Sequence, residues 1–188
     1  MKVDIVDLNT VDAQQLVTES LIESGFAVVE NHKIPVSELN ALYEGWNHFF
    51  LNGNPGQYVT DVESQAGYFS PYFAETAKGH EAQDLKEYFH YWPGGMLPAP
   101  VEKMTLHYYD AIFNLGKDVM AWLQANSPTN LWQAIDQPFE HYLSRNQTLL
   151  RILRYPPLTG NEPPESIRAG AHEDINLITM LPAASESG

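Results

Sequence analysis

The chain has 188 residues, which is long enough to form one domain with a sizeable hydrophobic core. Its 24 acidic and 10 basic side chains give a formal net charge of −14, which argues against a nucleic-acid backbone or an anionic membrane as its partner. The chain contains no cysteine, which excludes disulfides, thiolate nucleophiles and iron–sulfur ligation, so a metal would bind through His, Asp or Glu.

The opening segment, MKVDIVDLNT, lacks the apolar block of a signal peptide. No segment has the length of apolar sequence that spans a membrane. Together with the absence of cysteine, these features favour a cytoplasmic location.

The first third of the chain predicts helices joined by short connections. Residues 10–24 predict a helix that Thr10 caps and Gly25 ends, and residues 26–31 predict a short strand. After Pro35, apolar side chains recur at helical spacing and predict a second helix. Residues 57–83 are irregular and rich in aromatic side chains.

The remainder of the chain predicts one long helix between two strands. Residues 85–92 and 148–155 predict strands, and residues 101–126 predict a long amphipathic helix between them. Two shorter helices are expected over residues 129–135 and 138–146. The order predicts a mostly helical N-terminal part followed by the first strands of a sheet.

The stretch RAGAHEDINLITML, residues 168–181, combines a strand-like apolar run with a histidine and an acid. Side chains alternate in a strand, so His172, Asp174 and Asn176 share one face, at ~6.6 Å between alternate positions. Two histidines and one carboxylate on one face suit iron(II) and leave positions open for other ligands. An ordinary polar strand end is the alternative reading of this pair.

A second polar pair lies on the predicted strand at 148–155. Arg151 and Tyr155 share a face with Leu149 and Leu153. An arginine and a tyrosine on one strand face can bind a carboxylate through charge-assisted hydrogen bonds. A surface ion pair for Arg151 and a core ring for Tyr155 are the alternatives.

Several stretches together resemble the iron(II)- and 2-oxoglutarate-dependent oxygenases of the isopenicillin N synthase-like group. The resemblance runs through nearly the whole chain in the order expected for that group. It rests on ESGFAVVENHKIP at 23–35, FF at 49–50, GY at 67–68, DLKEYF at 84–89, LRILRYPPL at 150–158 and AGAHEDINLITML at 169–181.

The resemblance implies an α+β fold in which N-terminal helices pack outside a double-stranded β-helix, or jelly-roll. Residues 1–147 are then a helical region with a few strands, and residues 148–188 hold the first strands of the jelly-roll. Residues 170–181 carry apolar groups on both faces and need neighbours to cover and pair with them. We therefore expect the chain to be the N-terminal portion of one longer domain.

The resemblance also implies a site. His172 and Asp174 match the first two iron ligands, Tyr155 matches a tyrosine that binds a carboxylate, and Arg151 falls where several relatives place a basic residue. The implied cofactors are iron(II) and 2-oxoglutarate, with ascorbate as a reductant and O2 as co-substrate. The implied substrate is a small organic molecule, and the basic Arg151 would favour an anionic one. Three residues are expected to line its pocket: Tyr68, Phe73 and Asn176.

The group's third ligand, a distal histidine, and its Arg-x-Ser clamp lie beyond Gly188. Of the histidines in this chain, His90 is the most suitable substitute, although a structural role is favoured for it. We therefore expect the 188 residues alone to bind iron poorly and to be inactive. Two alternatives stay open for the complete protein: an oxidase that uses no 2-oxoglutarate, like isopenicillin N synthase, and a non-catalytic jelly-roll binding protein.

Overall fold

The computed structural model describes residues 3–59, 63–71, 84–162, 166, 168–169 and 174–185. Within these ranges the fold is a mixture of helix and sheet. The helices are α1 (Ala13–Ser24), α2 (Val36–Asn52) and α3 (Ala99–Asn126), and the strands are β1 (Ile5–Asp7), β2 (Val28–Glu30), β3 (Gly67–Phe69), β4 (Glu87–Tyr91) and β5 (Leu150–Arg154). None of the described helices is both long enough and apolar enough to cross a bilayer.

The three longer predicted helices are confirmed, with one error at a helix start. Gly25 ends α1 in the left-handed conformation, at φ 78°, which glycine adopts without steric cost. Thr10 does not cap α1, because the helix begins at Ala13. The Thr10 hydroxyl instead donates to the Asp7 carbonyl at 2.8 Å, within the turn after β1.

The shorter predicted helices are single 3-10 turns, at Thr129–Leu131, Phe139–Tyr142 and Arg145–Gln147. The first two follow directly after Pro128 and Pro138, and the three turns are only three or four residues long. Segments this short close turns with the tighter hydrogen-bond pattern rather than winding into an α-helix.

Strand β1 is absent from the sequence-based prediction. It pairs in parallel with β2, with Val6 opposite Val29. Three residues are too few to show an alternating pattern, so only the pairing with β2 identifies this segment as a strand.

The second sheet has the order β3-β4-β5, with antiparallel neighbours. The register pairs His90 with Gly67 on one side and with Arg151 on the other. Since alternate residues face opposite sides, the sheet presents two faces. We call them the core face (Tyr68, Glu87, Phe89, Ile152, Arg154) and the His90 face (Phe69, Tyr88, His90, Arg151, Leu153).

The predicted strand over residues 168–181 is wrong for the part that the structure describes. Residues 168–169 and 174–181 lie in bends and irregular backbone. A strand is held by hydrogen bonds to a neighbour, and none of the described strands pairs with this segment. Side chains form a local network instead, in which Asn176 Nδ2 donates to Thr179 Oγ1 at 2.8 Å and that hydroxyl donates to Asp174 Oδ2 at 3.0 Å.

The chain divides into two compact units, and two of the boundaries between them fall within α2 and α3. One unit comprises Met1–Leu39, Leu106–Arg145 and Met180–Ala183. Within it the buried hydroxyl of Thr18, on α1, lies 3.2 Å from the Trp122 carbonyl of α3. The domain boundary expected near residue 147 stays a prediction.

The other unit comprises Asn40–Thr105, Asn146–Thr179 and Ala184–Gly188, and it contains the β3-β4-β5 sheet. Its core is an aromatic cluster in which the Trp46 ring of α2 lies 5.0 Å from the Phe89 ring of β4. Trp46 is 2% exposed and Phe89 is fully buried. Burying rings of this size contributes most of the stabilisation that such a core provides.

A buried hydrogen bond fixes Trp46 within this core. The Trp46 Nε1–H donates to the Thr105 hydroxyl at 2.9 Å, and that hydroxyl donates to the Val101 carbonyl at 2.7 Å. Gly45 allows α2 to approach α3 closely here, because a Cβ at this position would lie 3.0 Å from Met104 Sδ.

We expect Thr105→Val to lower the free energy of unfolding by ~1–3 kcal/mol, because the shape is kept while the buried indole N–H loses its acceptor. Urea denaturation followed by tryptophan fluorescence measures the loss. Thr105→Ser keeps the hydroxyl and is the control. Equal stability of the valine and wild-type proteins would contradict this role of the hydroxyl.

Candidate functional site

Strand β5 is an edge strand of the described sheet and presents Arg151 and Leu153 on the His90 face. Burial alternates along the strand, so that Leu150, Ile152 and Arg154 are half-buried. Leu153 is 39% exposed, and Tyr155, just beyond the strand, is 37% exposed. The alternation confirms that Arg151 and Leu153 share one side of β5, whereas the side on which Tyr155 lies stays a prediction.

His90 is the buried partner of Arg151. It is 2% exposed, and its Nε2 lies 2.8 Å from the Arg151 Nε. Its Nδ1 lies 3.0 Å from the Gln65 carbonyl oxygen. Both ring nitrogens therefore have partners within the protein, as predicted for a structural histidine.

Aromatic rings surround this pair on the His90 face. The Phe69 and Tyr88 rings stack, with centroids 4.8 Å apart and planes 12° from parallel. The Arg151 guanidinium carbon lies 5.2 Å from the centroid of the Tyr88 ring. The ring face attracts the cation, so Tyr88 and His90 together restrict where the Arg151 guanidinium can lie.

A buried ion pair precedes β4. Lys86 Nζ lies 2.9 Å from Asp84 Oδ2, and both side chains are less than 10% exposed, at 8% and 7%. Within the described part of the chain, Asp84 Oδ1 has no hydrogen-bond partner. A buried carboxylate is tolerated here because the lysine neutralises it.

The core face carries a separate polar network that spans all three strands. The Tyr68 hydroxyl donates to Glu87 Oε2 at 2.6 Å, and Arg154 Nη1 donates to Glu87 Oε1. Tyr68 and Arg151 therefore project from opposite faces of the sheet and are not brought together. Burial, the hydrogen bond to Glu87 and the Glu87 charge raise the pKa of Tyr68 above its ordinary value of 10.0, and the Arg154 charge opposes them.

The structure describes only part of the predicted metal site. Asp174 is exposed, and its Oδ2 accepts a hydrogen bond from Thr179. Asn176 donates to the same Thr179 hydroxyl, so Asp174 and Asn176 belong to one network. His172 and Phe73 lie outside the described residues. Among the residues that are described, no cluster of three or more His, Cys, Asp or Glu side chains could hold a metal.

Sequence reasoning considered His90 and Arg151 separately and missed that they meet. Their positions lie 61 residues apart, so no local pattern connects them. The register of β4 on β5 places them opposite each other, and a sequence alone does not specify that register. A histidine in one strand and an arginine in another was the available signal.

The chain matches no family model. Over 92 residues, 48% of the chain, it is 33% identical to a "2-oxoglutarate-Fe(II) type oxidoreductase" of Aspergillus fumigatus, of which the match covers 26%. Over 94% of the chain it matches the crystal structure of a Shewanella oneidensis protein assigned as an oxygenase, with 36% identity and a TM-score of 0.83. The match covers 64% of that protein's chain.

Two more distant solved structures share the fold. A Caulobacter crescentus protein assigned to the 2OG-Fe(II) oxygenase family matches 93% of the chain, with 24% identity, a TM-score of 0.65 and 61% of its own chain covered. A full-length Neurospora crassa protein, solved in complex with alpha-KG, matches 92%, with 18% identity, a TM-score of 0.69 and 61% covered. These relatives confirm the resemblance predicted from the motifs, and the chain spans less than two thirds of each solved relative.

The raised pKa of Tyr68 predicts how the stability of the protein changes at alkaline pH. The neutral phenol is favoured in the folded state. Its contribution to the free energy of unfolding is therefore complete below about pH 10, the pKa of tyrosine in the unfolded chain, and is lost as the pH rises through the higher pKa of the folded state. Above about pH 10 we expect Tyr68→Phe to lose less stability than the wild type does. Urea denaturation between pH 8 and 11 measures this, with Tyr155→Phe as the control at an exposed tyrosine. Parallel wild-type and Tyr68→Phe pH profiles would contradict it.

Proposed function

We propose that the protein is a non-haem iron(II)- and 2-oxoglutarate-dependent oxygenase that oxidises a small organic substrate. The observation that carries this proposal is the agreement with the Shewanella oneidensis oxygenase over 94% of the chain. The name of the Aspergillus fumigatus relative, which specifies 2-oxoglutarate and iron(II), supports the choice of cofactors. O2 is the second co-substrate, and ascorbate is the reductant that keeps the iron in its active state.

The proposed fold of the complete protein is a jelly-roll with helices outside it. The packing of α2 on the core face supports this arrangement, since the Trp46 ring contacts Phe89 on that side of β4. The opposite face, with His90 and Arg151, would then line the interior. A cavity lined by strand residues of this kind is where small ligands bind in β-rich folds.

We propose His172 and Asp174 as two ligands of the iron. Imidazole nitrogen and carboxylate oxygen are the donors that non-haem iron(II) takes, so the donor types fit. Thr179 supports the fit, because its hydroxyl donates to Asp174 Oδ2 and orients the carboxylate. When bound, the iron supplies the redox chemistry by which O2 oxidises the substrate while 2-oxoglutarate becomes succinate and carbon dioxide.

The chain's own side chains bind and orient the organic molecules. Arg151 is an exposed residue of β5 and Tyr155 is exposed just beyond its end, and we propose that they hold carboxylate groups of 2-oxoglutarate or of the substrate. A cationic side chain at this place favours an anionic substrate. Tyr68, Phe73 and Asn176 stay predictions as residues of the substrate pocket, and of these Tyr68 projects from the core face rather than from the face proposed to line the interior.

Succinate formation tests the proposed reaction. Full-length protein supplied with iron(II), ascorbate, O2 and 2-oxoglutarate should release succinate, and release should stop when iron is removed by a chelator. Oxygen consumption without succinate would favour the oxidase that uses no 2-oxoglutarate. If the protein binds 2-oxoglutarate or another carboxylate but neither consumes oxygen nor forms succinate, the result favours the non-catalytic binding protein.

Iron binding tests the proposed ligand. We expect Asp174→Asn to weaken iron(II) binding by more than the ~10–100-fold that loss of an orienting neighbour costs, because it removes the ligand's charge. Thr179→Val removes only the orienting hydroxyl and should fall within that ~10–100-fold range. Equilibrium dialysis of the full-length protein measures both, and Asp118→Asn, at an exposed acid of α3, is the charge-matched control. Wild-type affinity in Asp174→Asn would contradict the assignment.

A further inference from the structure

We infer that His90 is a positioning residue that fixes the guanidinium of Arg151 for one carboxylate of a small organic anion. The inference extends the proposed function, on which it rests only for the identity of that anion. It assigns a role in ligand binding to a buried side chain whose two ring nitrogens both contact partners within the protein.

The pairing of β4 with β5 brings the two side chains together. His90 and Arg151 are directly opposite in the register, so they leave the sheet on the same face. The Arg151 Nε lies 2.8 Å from His90 Nε2, which is a full hydrogen bond. The Tyr88 ring lies 5.2 Å from the Arg151 guanidinium carbon and restrains it from a second direction.

The contact with arginine determines the protonation of the imidazole. Arginine keeps all its protons in proteins, so its Nε–H is the donor and His90 Nε2 is the acceptor. The proton of the neutral ring therefore lies on Nδ1, which donates to the Gln65 carbonyl at 3.0 Å. The Gln65 carbonyl also accepts from Trp92 Nε1 at 2.9 Å, so it is held in place by two donors.

The series of hydrogen bonds therefore runs from the Gln65 carbonyl, through the buried His90 ring, to the exposed Arg151 guanidinium. His90 is 2% exposed, whereas Arg151 is among the exposed residues of its strand. The contact with His90 uses the Nε–H of Arg151 and not its Nη donors, and it restrains the plane of the guanidinium. A flexible cation loses side-chain entropy when it binds a ligand, and a cation already held in place loses less.

The ligand chemistry follows from the guanidinium and from its neighbours. A planar fork of N–H donors matches the two oxygens of a carboxylate. Leu153 is the next residue on this face and is 39% exposed, which offers apolar contact to the body of the same molecule. The shared chemistry is a carboxylate, which either 2-oxoglutarate or the substrate can supply.

Two variants of His90 separate positioning from simple packing. His90→Gln can place its Oε1 near the position of Nε2 and accept from Arg151, whereas His90→Asn can donate to Gln65 but is too short to reach Arg151. We expect Kd for a carboxylate to rise about tenfold in His90→Asn and to stay within about threefold in His90→Gln. Arg151→Lys keeps the charge without the fork and should also lose about tenfold.

Chemical-shift titration of the full-length, isotope-labelled protein measures the Kd values. The probes are 2-oxoglutarate and phenylacetate. The probe whose Kd rises more in the variants shows whether the co-substrate or an apolar substrate acid supplies the carboxylate. Lys103→Gln removes an exposed cation of α3 and is the charge control, for which no change is expected. The inference would be overturned if neither probe bound the wild type, or if His90→Gln and His90→Asn lost equal affinity for the probes.

The imidazole nitrogen shifts of His90 provide a readout that needs no iron, turnover or ligand. We expect a neutral ring with its proton on Nδ1, and a shifted Nε2 resonance in Arg151→Lys because that nitrogen loses the Arg151 Nε–H donor. A proton on Nε2 in the wild type would overturn the inference even if succinate is formed. If the tautomer is as expected but no succinate is formed, the inference about the His90–Arg151 pair stands and the proposed reaction is rejected. If His90→Asn does not fold, the tautomer and the Kd of Arg151→Lys decide the question.

Discussion

The burial of β4 on both faces is the constraint on which the rest of the sheet depends. All five residues from Glu87 to Tyr91 are buried, yet the strand carries a carboxylate on one face and an imidazole on the other. A buried polar group without a partner costs several kcal/mol, so both need partners from neighbouring elements. Strand β5 supplies an arginine to each face, since Arg154 pairs with Glu87 and Arg151 with His90.

The two arginines do different things because their surroundings differ. Arg154 is directed at the core face, where the ion pair with Glu87 is largely shielded from water and Tyr68 completes it. Arg151 lies on the exposed side of the same strand, where a cation can meet a ligand. The core-face network therefore stabilises the sheet, while the His90 face combines a restrained cation with an exposed apolar neighbour, Leu153, a combination that suits an organic acid.

The relatives and the site bear on different parts of the functional question. The match at 36% identity is to a protein assigned as an oxygenase and supports the proposed function, whereas the matches at 24% and 18% identity show the fold alone. Fold does not determine substrate, which depends on particular side chains around the reacting atoms. Under the proposed function, the side chains around Arg151 would bear on substrate choice, and the iron ligands proposed at 172 and 174 would bear on the reaction type.

The amino-acid sequence by itself determined the long helices, the strands β4 and β5 and the family resemblance, because each depends on local periodicity or on short motifs. It also determined that Arg151 and Leu153 share a side of their strand, since alternation is a local property. Tertiary structure alone decided that His90 meets Arg151 and that Tyr68 meets Glu87, because cross-strand register joins residues far apart in the chain. It also decided that the described residues around Asp174 form bends rather than a strand, since a strand exists only where a neighbour accepts and donates its backbone hydrogen bonds.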